Sequence, residues 1–172
     1  MPPPRARHEG GLAGARAQLL EHGAVVAGSE RQLSPLHVAT WQDDEEMAGF
    51  LIDHGAPVDE RPTASDAYQG ETPLMIAAAD GLIDVATLLL ERGASAEARN
   101  ASGLTPLHFA VGSADRGTSQ MVELLLAAGA DPGATDESGA TALALAREFG
   151  VAAAIAALER AEAGAPAERS GG

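Results

Sequence analysis

Residues 103–110 read Gly-Leu-Thr-Pro-Leu-His-Phe-Ala. Thr105 is suited to cap a helix through its hydroxyl, and Pro106 fits the first helical turn, where its missing N–H would have no partner anyway. Leu107, Ala110 and Val111 then fall on one helical face at i, i+3 and i+4. The stretch therefore predicts a helix start. His108, beside a hydroxyl, raises the question of catalysis, and the answer depends on whether the phrase stands alone.

It recurs. Ser34-Pro35-Leu36-His37, Thr72-Pro73-Leu74-Met75, Thr105-Pro106-Leu107-His108 and Thr141-Ala142-Leu143-Ala144 align on their Leu, with steps of 38, 33 and 36 residues (36→74, 74→107, 107→143). A second phrase keeps pace: Leu19-Leu20-Glu21-His22-Gly23-Ala24, Leu51-Ile52-Asp53-His54-Gly55-Ala56, Leu89-Leu90-Glu91-Arg92-Gly93-Ala94 and Leu125-Leu126-Ala127-Ala128-Gly129-Ala130. The apolar run Met121–Leu126 predicts a second amphipathic helix. A Gly just past such a run supplies the left-handed terminus that ends it. Each unit is thus a turn followed by two antiparallel helices, and neighbours must stack because one unit cannot bury its own apolar face.

A period of about 33 residues with a Thr-Pro-Leu-His phrase resembles the ankyrin repeat. The resemblance covers residues 12–160 and implies an all-α solenoid with β-turn fingers on one side, inner helices forming a concave surface, and outer helices behind. We expect a disordered arm at 1–11, a half repeat at 12–28 consisting of an outer helix over Leu12–His22, and complete repeats at 29–61, 67–99 and 100–135. A C-terminal cap at 136–160 and a disordered tail at 161–172 follow. Two insertions break the period: the finger at Arg61–Asp66 is lengthened, and extra residues lie within Gly112–Ser119.

The resemblance also implies that His37 and His108 hydrogen-bond across repeat interfaces. Met75 and Ala144 take their place in the other units, so no catalytic role can depend on this position. Partners of such proteins touch finger tips and the exposed late positions of inner helices. Carried across, the binding residues are Trp41, Gln42, Tyr68, Gln69, Glu71, Asp80, Ser113 and Phe149. The competing reading has Trp41 packing over the missing first inner helix and Phe149 covering the cap.

Composition sets the rest. The chain of 172 residues is 45% hydrophobic but only 3% aromatic, and carries a formal net charge of −14. That charge disfavours nucleic acid and anionic membrane surfaces and favours a protein partner with a basic face. No Cys is present and every Lys+Arg residue is Arg, which excludes disulfides and thiolate metal sites; the Lys-free, Ala-rich usage suggests a bacterial, high-GC source. Residues 1–8 begin no signal peptide, and no apolar run is long enough to span a bilayer, so we expect a cytoplasmic monomer.

The acidic run Asp43-Asp44-Glu45-Glu46 fits a helix start, with Asp43 as N-cap and Glu46 at N3, and lacks the ligand alternation of a calcium loop. His22 and His54 lie about 10 Å apart in successive units, too far to share a zinc ion, and suit helix C-termini. No cofactor or metal site and no nucleophile elbow is recognisable. The expected function is a non-enzymatic protein–protein interaction module, an adaptor or a regulator or inhibitor of one partner. The alternatives are an enzyme with its site in the inserted loops and an architectural subunit of a homo-oligomer.

Overall fold

The computed structural model describes residues 34–62, 70–112 and 118–164. Within them the chain forms eight α-helices in four pairs. The pairs are α1 (Pro35–Trp41) with α2 (Glu45–Asp53), α3 (Pro73–Asp80) with α4 (Ile83–Glu91), α5 (Pro106–Gly112) with α6 (Thr118–Ala127), and α7 (Ala142–Phe149) with α8 (Ala152–Gly164). The odd-numbered helices pack in a row, each on the next, and the even-numbered helices form a second row behind them. The expected all-α stacked architecture is therefore present. An isolated β-bridge between Thr135 and Thr141 closes one finger.

The repeated phrase does what its chemistry requires. Ser34, Thr72 and Thr141 are N-caps whose side chains accept from the N–H three residues on. Leu36, Leu74, Leu107 and Leu143 are all buried, and so are Ala39, Ala77, Ala110 and Ala146, one turn later. A methyl at the second position lets neighbouring first helices approach closely, while Leu at the first fills the space between pairs. Leu89, Leu125 and Leu158 close the core from the second row. Gly55, Gly93 and Gly129 have φ of 93°, 91° and 92°, the left-handed conformation that turns the chain out of the second helix of its unit at little steric cost.

Three expectations need correction. The N-cap of α2 is Asp44, which accepts from the Met47 N–H at 2.9 Å, and not Asp43. Asp43 has φ 59° and is the left-handed residue ending the turn out of α1; units two and four place Gly81 (φ 68°) and Gly150 (φ 71°) at the same point. An N-cap needs extended backbone or nearly so, which Asp43 lacks. Second, the tail does not begin at residue 161, because α8 continues to Gly164. Third, α6 begins at Thr118, ahead of the Met121–Leu126 run. The outer helix expected over Leu12–His22 and most of the lengthened finger at Arg61–Asp66 lie outside the described residues.

Candidate protein-binding surface

The two fingers at residues 100–104 and 136–140 satisfy many of their polar groups internally. Asn100 Oδ1 accepts from the N–H groups of Ser102 (3.0 Å) and Leu104 (2.9 Å). Asp136 Oδ1 does the same for Ser138 and Ala140, both at 2.9 Å, and also accepts from the Ser138 hydroxyl. Those bonds, the Ser138 hydroxyl's first, hold the Asp136 carboxyl below its ordinary pKa. Backbone bonds pin both loops identically: Asn100 N–H to Leu104 O and Asp136 N–H to Ala140 O, each 3.0 Å. Successive fingers are joined by Glu137 N–H to Ser102 O at 3.1 Å. Arg99 adds a donor to Thr135 O at 2.6 Å and one to Gly103 O at 3.2 Å. A side chain at Gly103 would be strained by its φ of 75° and would press on the next finger, its Cβ lying 3.0 Å from the Glu137 nitrogen. Sequence reasoning did not single out Asn100 and Asp136, although each stands five residues before the Thr that precedes a first-row helix.

The two histidines complete the ties. His37 Nε2 donates to Glu71 O at 3.0 Å and His108 Nε2 to Ala140 O at 3.1 Å, each the carbonyl just before the next unit's capping Thr. With the proton fixed on Nε2 by a carbonyl partner, Nδ1 is an acceptor. It takes the Ser34 hydroxyl at 2.7 Å in one case, and the Thr105 hydroxyl at 2.8 Å and N–H at 3.2 Å in the other. Burial holds both imidazoles below their ordinary pKa, against the opposing pull of the carbonyl bonds. His108 is therefore a cross-repeat tie, and the question raised by residues 103–110 is answered by geometry. Met75 makes no such tie: its sulfur accepts from Thr72 N–H within its own unit. His54 Nδ1 bonds Phe50 O at 2.8 Å at the end of α2, and its ring lies 4.1 Å from that of Phe50.

The residues expected to bind a partner separate into three groups. Trp41 ends α1 and is 63% exposed, and Phe149 ends α7 and is 58% exposed. Among the described residues these are the exposed large hydrophobics. Residues 1–33, which precede the Trp41 unit, lie outside the described residues. Gln42, just past the end of α1, and Asp80, at the end of α3, are also exposed. Glu71 is different. It sits at the base of its finger with its carbonyl engaged by His37, its side chain is half-buried, and burial pushes its carboxyl up to about 7. Tyr68, Gln69 and Ser113 lie outside the described residues.

Elsewhere the surface offers little chemistry. A shallow polar cavity of about 210 Å³ lies behind the last two fingers, lined by Ala96, Glu97, Arg99, Thr105, Asp131 and Ala134. Among the described residues no three His, Asp or Glu side chains converge as a metal site, and no helix is long and apolar enough to cross a membrane. Three surface ion pairs, Arg92–Asp53, Arg147–Glu159 and Arg160–Glu123, join units or helices and contribute little individually because both partners are solvated.

Comparison with known proteins matches this geometry. Residues 58–136 match the family model described as ankyrin repeats (3 copies), and residues 31–62 match that of a single ankyrin repeat. Among similar proteins, a putative ankyrin repeat-containing protein of Treponema pallidum is 39% identical over 131 residues, covering 76% of this chain and 42% of that protein. The B-cell lymphoma 3 protein homolog of Mus musculus is 35% identical over 115 residues, covering 67% of this chain and 24% of that protein. Zinc finger CCCH domain-containing protein 50 of Oryza sativa subsp. japonica is 34% identical over 120 residues, covering 64% and 18%. The chain thus spans less than half the length of these relatives. Its fingers, paired helices and cross-repeat histidines, together with these matches, place the chain in the ankyrin repeat family.

Proposed function

We propose that this chain acts as a non-enzymatic protein-binding module that recognises one partner through its finger tips and the exposed ends of its first-row helices. It serves as an adaptor or as a regulator of that partner. The observation that carries this reading is the pair of exposed aromatics, Trp41 and Phe149, in a chain that is only 3% aromatic. A large ring left in water at a helix end contributes nothing to the core, whereas aromatics are the usual anchors of interfaces. The internal hydrogen bonds of the fingers at residues 100–104 and 136–140 support the same role, since a surface already ordered in the free state loses less entropy on binding.

The partner's surface is basic on this reading. Residues 34–60 contain seven acidic residues and no Arg or Lys, and residues 70–91 contain four and none. Such a field attracts cations and speeds their encounter. The test is affinity capture from the source organism with wild type and with a Trp41→Ala, Phe149→Ala double variant. A stoichiometric protein retained by the first and lost by the equally folded second supports the module. Retention of the chain's own copies alone favours the architectural alternative, and turnover of a metabolite the enzymatic one.

A further inference from the structure

The four units are not coupled alike. Where both partners are described residues, each hydrogen bond and ion pair that crosses between units joins the first to the second or the third to the fourth. The first joint has His37 Nε2 on Glu71 O, the Asp59 carboxylate on the Ser95 N–H at 3.1 Å, and Arg92 on Asp53. The last joint has His108 Nε2 on Ala140 O, the Glu137 N–H on Ser102 O, and Arg160 on Glu123. Arg99 belongs to that joint as well, since it holds Gly103 O and Thr135 O in the fingers that enter α5 and α7.

Between the second and third units the same places carry residues that do not make these bonds. Met75 stands where the histidine would, and its sulfur accepts from the Thr72 N–H of its own unit. Leu104 O, the carbonyl equivalent to Glu71 O and Ala140 O, accepts from the Asn100 N–H of its own finger. Counting from the glycines at 55, 93 and 129, Asp53 and Arg92 correspond to Glu91 and Ala128, and a methyl offers no charge. Asp59 and Ser95 likewise correspond to Glu97 and Asp131. The Asp131 carboxylate takes the Gly133 N–H in its own turn, and both acidic residues line the polar cavity behind the fingers.

What holds this joint is apolar. α3 and α5 pack closely, with Leu74, Met75, Ala77, Leu107 and Ala110 buried. Their second-row neighbours α4 and α6 approach one another over a shorter stretch than α2 with α4 or α6 with α8. We infer that the joint between the second and third units is a built-in yielding seam: the stack is two cooperative blocks, α1–α4 and α5–α8, and one block lets go while the other stays folded. In a solenoid the stability of each unit is its own term plus its interface terms, so the joint that lacks such terms is where cooperativity breaks. The buried histidines supply the larger share of those terms, because the ion pairs are solvated. The seam stands whether or not the chain binds a protein.

Native-state hydrogen exchange on the full chain in low urea tests the seam at one core amide per unit: Ala48, Leu89, Leu125 and Ala146. Ala48 and Leu89 should share one opening equilibrium and Leu125 and Ala146 another, the two differing about tenfold or more. Met75→His offers Leu104 O the donor that Ala140 O has. It should raise protection of the weaker block about three- to tenfold, the worth of one net hydrogen bond, and bring the two values together. His108→Met should do the reverse and create a second step, between Leu125 and Ala146. Should Met75→His fail to fold, His108→Met still decides. One equilibrium shared by all four amides, or a wild-type step placed between Ala48 and Leu89 or between Leu125 and Ala146, overturns the seam. An undiminished step in folded Met75→His, or no second step in His108→Met, overturns it equally.

Discussion

His108→Gln removes the tie between the third and fourth units, and its cost can be worked out from the contacts. The variant withdraws the acceptor that serves the Thr105 hydroxyl and N–H, and the donor to Ala140 O. Ala140 O keeps the Asp136 N–H, so it is not orphaned, but the buried Thr105 groups lose their partner. The expected loss is about 1–3 kcal/mol near pH 8, the range for leaving a buried polar group unpaired. Acid supplies the sharper diagnostic. The folded pKa of His108 is lowered, so the unfolded chain binds more protons, and stability falls as pH drops below the unfolded value of about 6.5. Wild type should lose up to about 1.4 kcal/mol per pH unit through this residue, until the lowered folded pKa is reached. The variant has no such proton. His37 and Glu71 are common to both proteins and cancel in the difference, including the opposite trend from Glu71, whose raised pKa makes the fold less stable as pH rises from about 4.5 to about 7. Urea melts at about pH 8 and about pH 5.5 should therefore show a gap that narrows in acid. A gap independent of pH, or one below about 0.5 kcal/mol at the higher pH, refutes a neutral, bonded His108.

Leu107→Ala should cost about 3–5 kcal/mol, since three buried carbons at roughly 0.8 kcal/mol each are lost and a cavity remains; denaturant melts check it. Ala110→Leu should also destabilise, by about 1–3 kcal/mol or more, because Ala110 is fully buried between first-row helices and the added carbons have no room. Asp43→Gly should raise stability by about 1 kcal/mol by relieving a left-handed residue, as seen in thermal melts, and an unchanged or lower midpoint would mean that the Asp43 side chain stabilises the turn.

The repeat was legible because one chemical phrase occurs four times. A capping hydroxyl, a Pro at the first turn in three of the four, a Leu and then an Ala are local requirements, and local requirements leave marks in sequence. Pairing of helices, burial of Leu36, Leu74 and Leu107, and the glycine exits at residues 55, 93 and 129 all follow from them. Where the phrase is degenerate, sequence is ambiguous: capping favours an Asp at residue 43, whereas alignment with Gly81 and Gly150 marks that place as left-handed. Only the tertiary structure decided the rest. Whether Trp41 and Phe149 are covered or exposed depends on what the stack brings beside them, and a hydrophobic residue carries no sign of that in itself. The bond from His37 to Glu71 O joins residues 34 apart, and it exists because stacking brings one unit's imidazole to the next unit's carbonyl. Sequence thus determined the unit, through interactions within a few residues; geometry between units determined which side chains became ties and which were left facing solvent.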